Sequence, residues 1–201
     1  MKITFIRHGE SKANSKRILQ HHIKGGLSKK GKEQAKKLGK RLSKEEFDMI
    51  YCSDSERAKE TAKEILKHHK KVPVVYTEEL REINRGIFVG QKGQEMWEIF
   101  LKSGESFAKW KPEEGESPND LVKRVKKFLE KIYKKHKGQH VLFITHGAVN
   151  RSIKDICNNK TPSIDELKLG INENCCVNLL EFEKGKPKLK LYNCTRHLKL
   201  K

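Results

Sequence analysis

The stretch Ile3-Thr4-Phe5-Ile6-Arg7-His8-Gly9 decides how this chain is read. Residues 3–6 are apolar or β-branched, the composition of a short buried strand. The run stops at a cation and an imidazole. That places both at a strand's carboxyl end, where ligands bind in open α/β sheets. Gly9 lets the backbone turn sharply and come close to a ligand. The design recurs at Val141-Leu142-Phe143-Ile144-Thr145-His146-Gly147, with helical sequence following at 148–157. Two such strands side by side deliver two histidines to one rim.

The intervening chain alternates strands with helices, which predicts an α/β fold. Further strands are expected at 47–52 and 73–76. Helices are expected at 28–42, with Ser28 as N-cap and Ala35, Leu38 and Leu42 as the apolar stripe, and at 56–70 behind the cap cluster Ser53-Asp54-Ser55. Arg57 falls in the first turn of the latter. A helix at 94–102 and one at 118–137, with Leu121, Val125, Phe128, Leu129 and Ile132 at helical spacing, complete that set. Residues 11–26 form a long polar connection, 80–90 an irregular segment with two glycines, and 103–118 a turn-rich stretch. The segments 175–182 and 188–194 read as an antiparallel hairpin around Lys184-Gly185-Lys186-Pro187. No linker or repeat divides the 201 residues, so one domain is expected.

Bulk composition narrows the function. No apolar run approaches a membrane span, and Lys2 leads into too few apolar residues for a signal peptide, so a cytoplasmic protein with no membrane partner is expected. The formal charge is +19, but the lysines are interleaved with glutamates in the helical stretches. They read as solvated helix faces rather than as a specific nucleic-acid surface; such a field also steers small anions. Five cysteines without a C-x-x-C suit reduced thiols. The adjacent Cys175 and Cys176, placed in a strand, are expected to point one inward and one outward. The pairs His21-His22 and His68-His69 lack the i, i+4 spacing of a helical metal site.

Arg7, His8, Arg57 and His146 collect at predicted strand ends, with Glu82 on the irregular loop. Two arginines and two histidines around one cavity make an anion pocket, because the guanidinium fork donates paired hydrogen bonds and stays charged. Phosphoryl transfer spreads charge over three equatorial oxygens and needs such fixed donors. A neutral histidine serves as nucleophile and a carboxyl group as acid and base. Blander readings stand beside these: Arg57 pairing with Glu56 or Glu60 on its own helix, and Glu82 as a solvated carboxylate beside Arg81 or Arg85.

Six blocks in order resemble the histidine phosphatase superfamily in its phosphoglycerate-mutase-like branch. They are Arg7-His8-Gly9-Glu10-Ser11 with Asn14; Leu27-Ser28 and Gly31 with Gln34-Ala35; Tyr51, Ser53-Asp54, Arg57-Ala58 and Thr61-Ala62; Leu80, Glu82 and Gly86; Gly115-Glu116-Ser117; and Thr145-His146-Gly147. The resemblance covers almost the whole chain. It implies a three-layer α/β/α sandwich with a mostly parallel central sheet, and a small cap around residues 91–118. It implies His8 as the phosphorylated nucleophile, Arg7, Arg57 and His146 as the phosphate clamp, and Glu82 as acid/base. Asn14, Gln20, His21 and the Gly147 amide are implied as further phosphate or substrate contacts. No metal or cofactor is implied, a small phosphorylated substrate is the expected partner, and a homodimer is compatible with it.

Two departures bear on the reaction. The family's phosphoglycerate mutases carry tyrosine three residues after the catalytic glutamate, where this chain has Arg85, and they insert a longer basic segment before the second histidine. Only 63 residues separate Glu82 from His146. A mutase must shield its phosphohistidine from water, so the short cap favours a phosphomonoester phosphatase. Phosphoglycerate mutase is second and a non-catalytic phospho-ligand binder third. Arg85 and Lys92, just beyond that glutamate, are expected to recognise a second acidic group on the substrate.

Overall fold

A computed structural model describes residues 1–22, 25–165 and 172–199; positions 23 and 24 of the 11–26 connection lie outside the described residues. Six strands form one sheet in the order β3-β2-β4-β1-β5-β6. Strands β1 (Lys2–Arg7), β2 (Met49–Ser53), β3 (Val74–Thr77) and β4 (His140–Thr145) are parallel to one another. Antiparallel β5 (Val177–Glu183) and β6 (Lys186–Cys194) extend the sheet beyond β1.

The inner strands are apolar along their whole length because both faces are covered. On one face Ile3, Phe5, Tyr51, Val141 and Phe143 pack against α5 (Pro118–Lys135) and α6 (Gly147–Asn158). On the other, the alternate residues Ile6, Ile50, Cys52, Leu142 and Ile144 pack against α2 (Lys29–Leu42) and α3 (Glu56–Leu66). The period of two along each strand thus sorts the core into two layers on either side of one sheet. A third apolar cluster, Phe88, Met96, Phe100 and Trp110, forms around α4 (Gln94–Ser103).

Caps explain the helix starts. The Ser28 hydroxyl accepts from Gly31 N, and Ser117 makes a reciprocal capping box with Asp120 ahead of Pro118 at the first helical position. Within the polar connection a short helix, α1 (Lys12–Ser15), forms because Ser11 and Asn14 close a capping box that composition did not reveal. The last described element is a short helix, α7 (Arg196–Lys199), packed near α2.

Other expectations are corrected. Helix α3 ends at Leu66 rather than near residue 70. The hairpin turn is only Lys184-Gly185, both at positive φ (48° and 80°), which matches the strands' twist, so Lys186 and Pro187 belong to β6. Pro187 is tolerated because β6 is the sheet edge. Cys175 and Cys176 precede β5 instead of lying in it: Cys175 turns at φ 56° and both thiols are buried.

Candidate active site

Parallel pairing of β1 and β4 sets Arg7 opposite Thr145, and His8 N donates to Thr145 O at 3.0 Å. The next residues on each strand, His8 and His146, therefore emerge at the same level. Their ring centroids lie 5.0 Å apart at an interplanar angle of 64°. Both are buried, at 2% and 0% exposure. The expectation of two histidines on one rim is met.

Arg57, from the first turn of α3, lies between them. Its Nε donates to His8 Nε2 at 3.1 Å and its Nη2 to His146 Nδ1 at 3.0 Å. A guanidinium has no acceptor, so both imidazole nitrogens present lone pairs. The protons sit on the opposite nitrogens. His8 Nδ1 donates to Gly9 O at 2.7 Å, and His146 Nε2 donates to Ser53 Oγ at 2.8 Å. Both rings are held neutral: burial, then Arg57, lowers each pKa well below 6.5, with Arg7 adding in both cases. His8 Nε2 is thus an unprotonated nitrogen inside a cationic pocket.

The pocket has donors to spare. Arg57 Nη1 and Arg7 Nε are buried without a hydrogen-bond partner among the described residues. Buried cationic donors left unpaired are costly unless an anion meets them. Burial pushes the Arg57 pKa down to about 10, with Glu82 opposing the shift, so Arg57 remains charged near neutrality. Arg7 is fixed by Nη1 donating to the Asn172 carbonyl. Asn172 is held in turn by Asn150 Nδ2 on its side-chain oxygen at 2.8 Å, and Asn150 accepts from Thr145 Oγ1 at 2.6 Å.

Glu82 reaches the same end of the sheet from the loop after β3. Its Oε1 accepts from Ala148 N at 3.1 Å and from Ile83 N at 3.0 Å, setting a carboxylate on the amino-terminal turn of α6. Two ion pairs steady that loop. Arg81 grips Asp54 through Nε and Nη2, and Arg124 grips Glu116 with two contacts of 2.9 Å while donating to Glu79 O at 2.8 Å. Arg81 is committed to Asp54, and Glu56 and Glu60 accept from the backbone at Gly25 and Leu27, while Arg85 keeps Glu82 as an electrostatic neighbour.

The remaining expected residues are placed unequally. His21 is close: its carbonyl accepts from Arg57 Nη2 at 3.1 Å and its Nδ1 donates to Glu82 O at 2.7 Å. Gly147 opens α6 against Arg7, where a Cβ would sit 3.5 Å from Arg7 Nε. Gln20 is buried with Nε2 unpaired among the described residues, its Oε1 taken by Ser11 Oγ at 2.6 Å. Asn14 has its side-chain oxygen engaged in the α1 capping box, accepting from Ser11 N at 3.2 Å. Arg85 lies beyond Glu82 in a small hollow that Ile83, Phe107 and Ala148 also line.

Sequence reading missed Ser53, Ser55, Asn150 and Asn172. Ser55 precedes α3 without a side-chain cap bond. Its hydroxyl instead faces His146, as that of Ser53 does, so residues read as caps orient an imidazole.

Comparison with known proteins agrees with this geometry. The histidine phosphatase superfamily (branch 1) matches residues 3–195. The chain is 31% identical over 203 residues to Phosphoglycerate mutase-like protein 4 of Arabidopsis thaliana, spanning 98% of this chain and 86% of that protein. It is 34% identical over 160 residues to Phosphoserine phosphatase 1 of Hydrogenobacter thermophilus, spanning 76% and 74% respectively. The solved structure of Bacillus stearothermophilus YhfR superposes with a TM-score of 0.89 at 28% identity, covering 98% of this chain and 99% of that one.

Proposed function

The chain belongs to the histidine phosphatase superfamily, and from that premise we propose that it hydrolyses small phosphomonoesters through a phosphohistidine on His8. One observation carries the reading: Arg57 donates to lone pairs of both buried histidines while its own Nη1 and Arg7 Nε stay unpaired among the described residues. That arrangement is a neutral nucleophile surrounded by waiting anion donors.

In the first step His8 Nε2 attacks phosphorus. The N–P bond forms as the ester P–O bond breaks, and Glu82, as a carboxylic acid, gives its proton to the departing alcohol oxygen. Arg7 and Arg57 turn their donors to the equatorial oxygens. His146, released from Arg57, takes up at Nδ1 the proton of a monoanionic ester, donates it to the phosphoryl oxygens as a hydrogen bond and returns it to the departing orthophosphate, while Ser53 keeps its ring in place. In the second step water attacks phosphorus. Glu82 takes its proton, the P–N bond breaks, and orthophosphate leaves with His8 neutral again.

Residues 91–118 act as the cap, supported by the separate apolar cluster in which their Met96, Phe100 and Trp110 pack with Phe88. A cytoplasmic setting is part of the proposal, supported by five free cysteines. No helix among the described residues is long and apolar enough to cross a membrane.

Phosphate release from a panel of phosphomonoesters, with chelator present, tests the reading. We expect turnover in the wild type and its loss in His8→Ala. A mutase is the second reading, favoured by likeness to Phosphoglycerate mutase-like protein 4 across 98% of the chain. Interconversion of 2- and 3-phosphoglycerate with little phosphate release would select it.

A further inference from the structure

The Arg7 side chain makes a single hydrogen bond among the described residues, and its acceptor is the backbone carbonyl of Asn172. A carboxylate in that place would hold the guanidinium as firmly but would neutralise it. A carbonyl holds it and leaves the charge for an incoming anion. The direction of Arg7 then depends on where that carbonyl stands.

Residues 172–176 wrap the end of β1. Cys175 N donates to Arg7 O at 3.0 Å and Asn174 Nδ2 to His8 O at 3.0 Å, which ties down the later part of this turn. Asn172, at its start, is held by its own buried side chain. The Asn172 Oδ1 accepts from Asn150 Nδ2 at 2.8 Å and from Cys176 Sγ at 3.1 Å. Burial pushes the Cys176 thiol up to about 11, so it keeps the proton it donates. Asn150 is 0% exposed and stands in the first turn of α6, its N–H on His146 O. Its Oδ1 accepts from Thr145 Oγ1 at 2.6 Å. One amide thus joins the end of β4, which leads into His146, to the carbonyl that fixes Arg7. Its helix neighbours Val149 and Ile153 pack into the core as apolar side chains do. A buried amide costs more than either unless it is hydrogen-bonded, so Asn150 is there for its two partners rather than for packing.

We propose that Asn150 is a positioning residue for the phosphoryl transfer: through Asn172 it sets the direction of the Arg7 guanidinium toward the phosphoryl group. The proposal rests on the phosphatase reading and adds to it a residue that acts without touching the substrate. Without this brace the Asn172 carbonyl, and Arg7 with it, is free to move, and a misplacement of about 1 Å in an oriented site costs about a hundredfold. Arg7 meets only phosphoryl oxygens, so the loss is the same whatever alcohol leaves.

The test is a double-mutant cycle in the full chain. Asn150→Ala and Arg7→Ala, alone and together, are assayed with phenyl phosphate and glycerol 3-phosphate. Asn150→Ala should lower kcat/KM about ten- to a hundredfold for both esters, chiefly in kcat. In the Arg7→Ala background the same substitution should cost less than about twofold, because the group it directs is gone. A merely structural amide would cost the same factor in either background, and that result would overturn the proposal, as would a wild-type kcat in Asn150→Ala. Denaturation of the four proteins should show equal stability losses from Asn150→Ala with and without Arg7, so that the coupling belongs to activity and not to folding. If Asn150→Ala does not fold, Asn150→Ser, polar but too short to reach both partners, replaces it with the same expected outcomes. If no ester is turned over, the phosphatase reading fails and the cycle is read in the binding of inorganic phosphate. A loss of about threefold or more that vanishes without Arg7 keeps the positioning role; no loss, or equal losses in the two backgrounds, removes it.

Discussion

Arg57 Nε donates to His8 Nε2 at 3.1 Å, so the cation of this site rests on the nitrogen that the proposed chemistry uses. The contact both keeps His8 unprotonated and occupies the position an incoming phosphoryl group takes. Arg57→Lys retains a charge but loses the fork that spans two imidazoles. We expect kcat/KM to fall about a hundredfold, as when one preorganised donor is removed from a charged transition state. Steady-state kinetics with an aryl phosphate measure it, and activity within a few-fold of wild type would mean that charge alone suffices.

Glu82→Gln separates the two steps. Without a proton donor, alkyl phosphates with poor leaving groups should slow about a hundredfold or more. An aryl phosphate needs little help to leave, so phosphorylation continues while the attack of water is impaired. Stopped-flow measurement should then show a burst of phenol followed by slow turnover. A linear trace with normal rates on alkyl phosphates would remove Glu82 from the acid/base role.

The lowered pKa values of His8 and His146 set a pH dependence with a definite sign. Each ring is neutral when folded and titrates at about 6.5 when unfolded, so acidification loads protons on the unfolded state alone. Stability from this source is complete above pH 6.5 and declines below it, by about 1.4 kcal/mol per pH unit for each histidine. Calorimetric melting from pH 7.5 to 5 should show a shallower decline in His8→Asn than in the wild type. Parallel curves would show that His8 accepts a proton when folded. The acid limb of kcat/KM should likewise lie below pH 6.5.

Gly31 lets the start of α2 pass the loop behind His8. A Cβ there would lie 1.9 Å from Glu10 O, and one at Gly9 would lie 2.6 Å from Gly31 O. The contact is backbone to backbone, so no side chain can yield. Gly31→Ala should cost about 3 kcal/mol, at the upper end of overpacking effects, visible as a drop in the denaturation midpoint. A change under about 0.5 kcal/mol would mean that the loop shifts freely.

What could be read from the sequence follows from where the physics is local. The double-sided strands β1 and β4 announced themselves as unbroken apolar runs, and their shared Arg-His-Gly or His-Gly endings fixed the rim. The stripes of α2 and α5 were legible for the same reason. What escaped depends on partners distant in sequence. Glu10, within the opening motif, proves to be a strut: it accepts from Ser28 Oγ at 2.8 Å and Lys30 Nζ at 2.9 Å. Glu116 and Ser117 do different work, one clamping Arg124 beneath the Glu82 loop and the other capping α5. Ser53 and Ser55 looked like caps because capping is what serine does most often at strand–helix junctions; only the return of β4 beside β2 brings His146 to them. Asn172 acts through tertiary neighbours, Arg7 and Asn150, and carries no local pattern.

The most direct test of the central claim is rapid acid-free quenching of the enzyme with a phosphomonoester labelled in its phosphoryl group, followed by mapping of the labelled peptide. The account predicts a label on His8, stable to alkali and labile to acid, present in the wild type, accumulating in Glu82→Gln and absent in His8→Ala. Turnover with no protein-bound label, together with inversion at a chiral phosphoryl group, would mean that water attacks the substrate directly and that His8 is not the nucleophile.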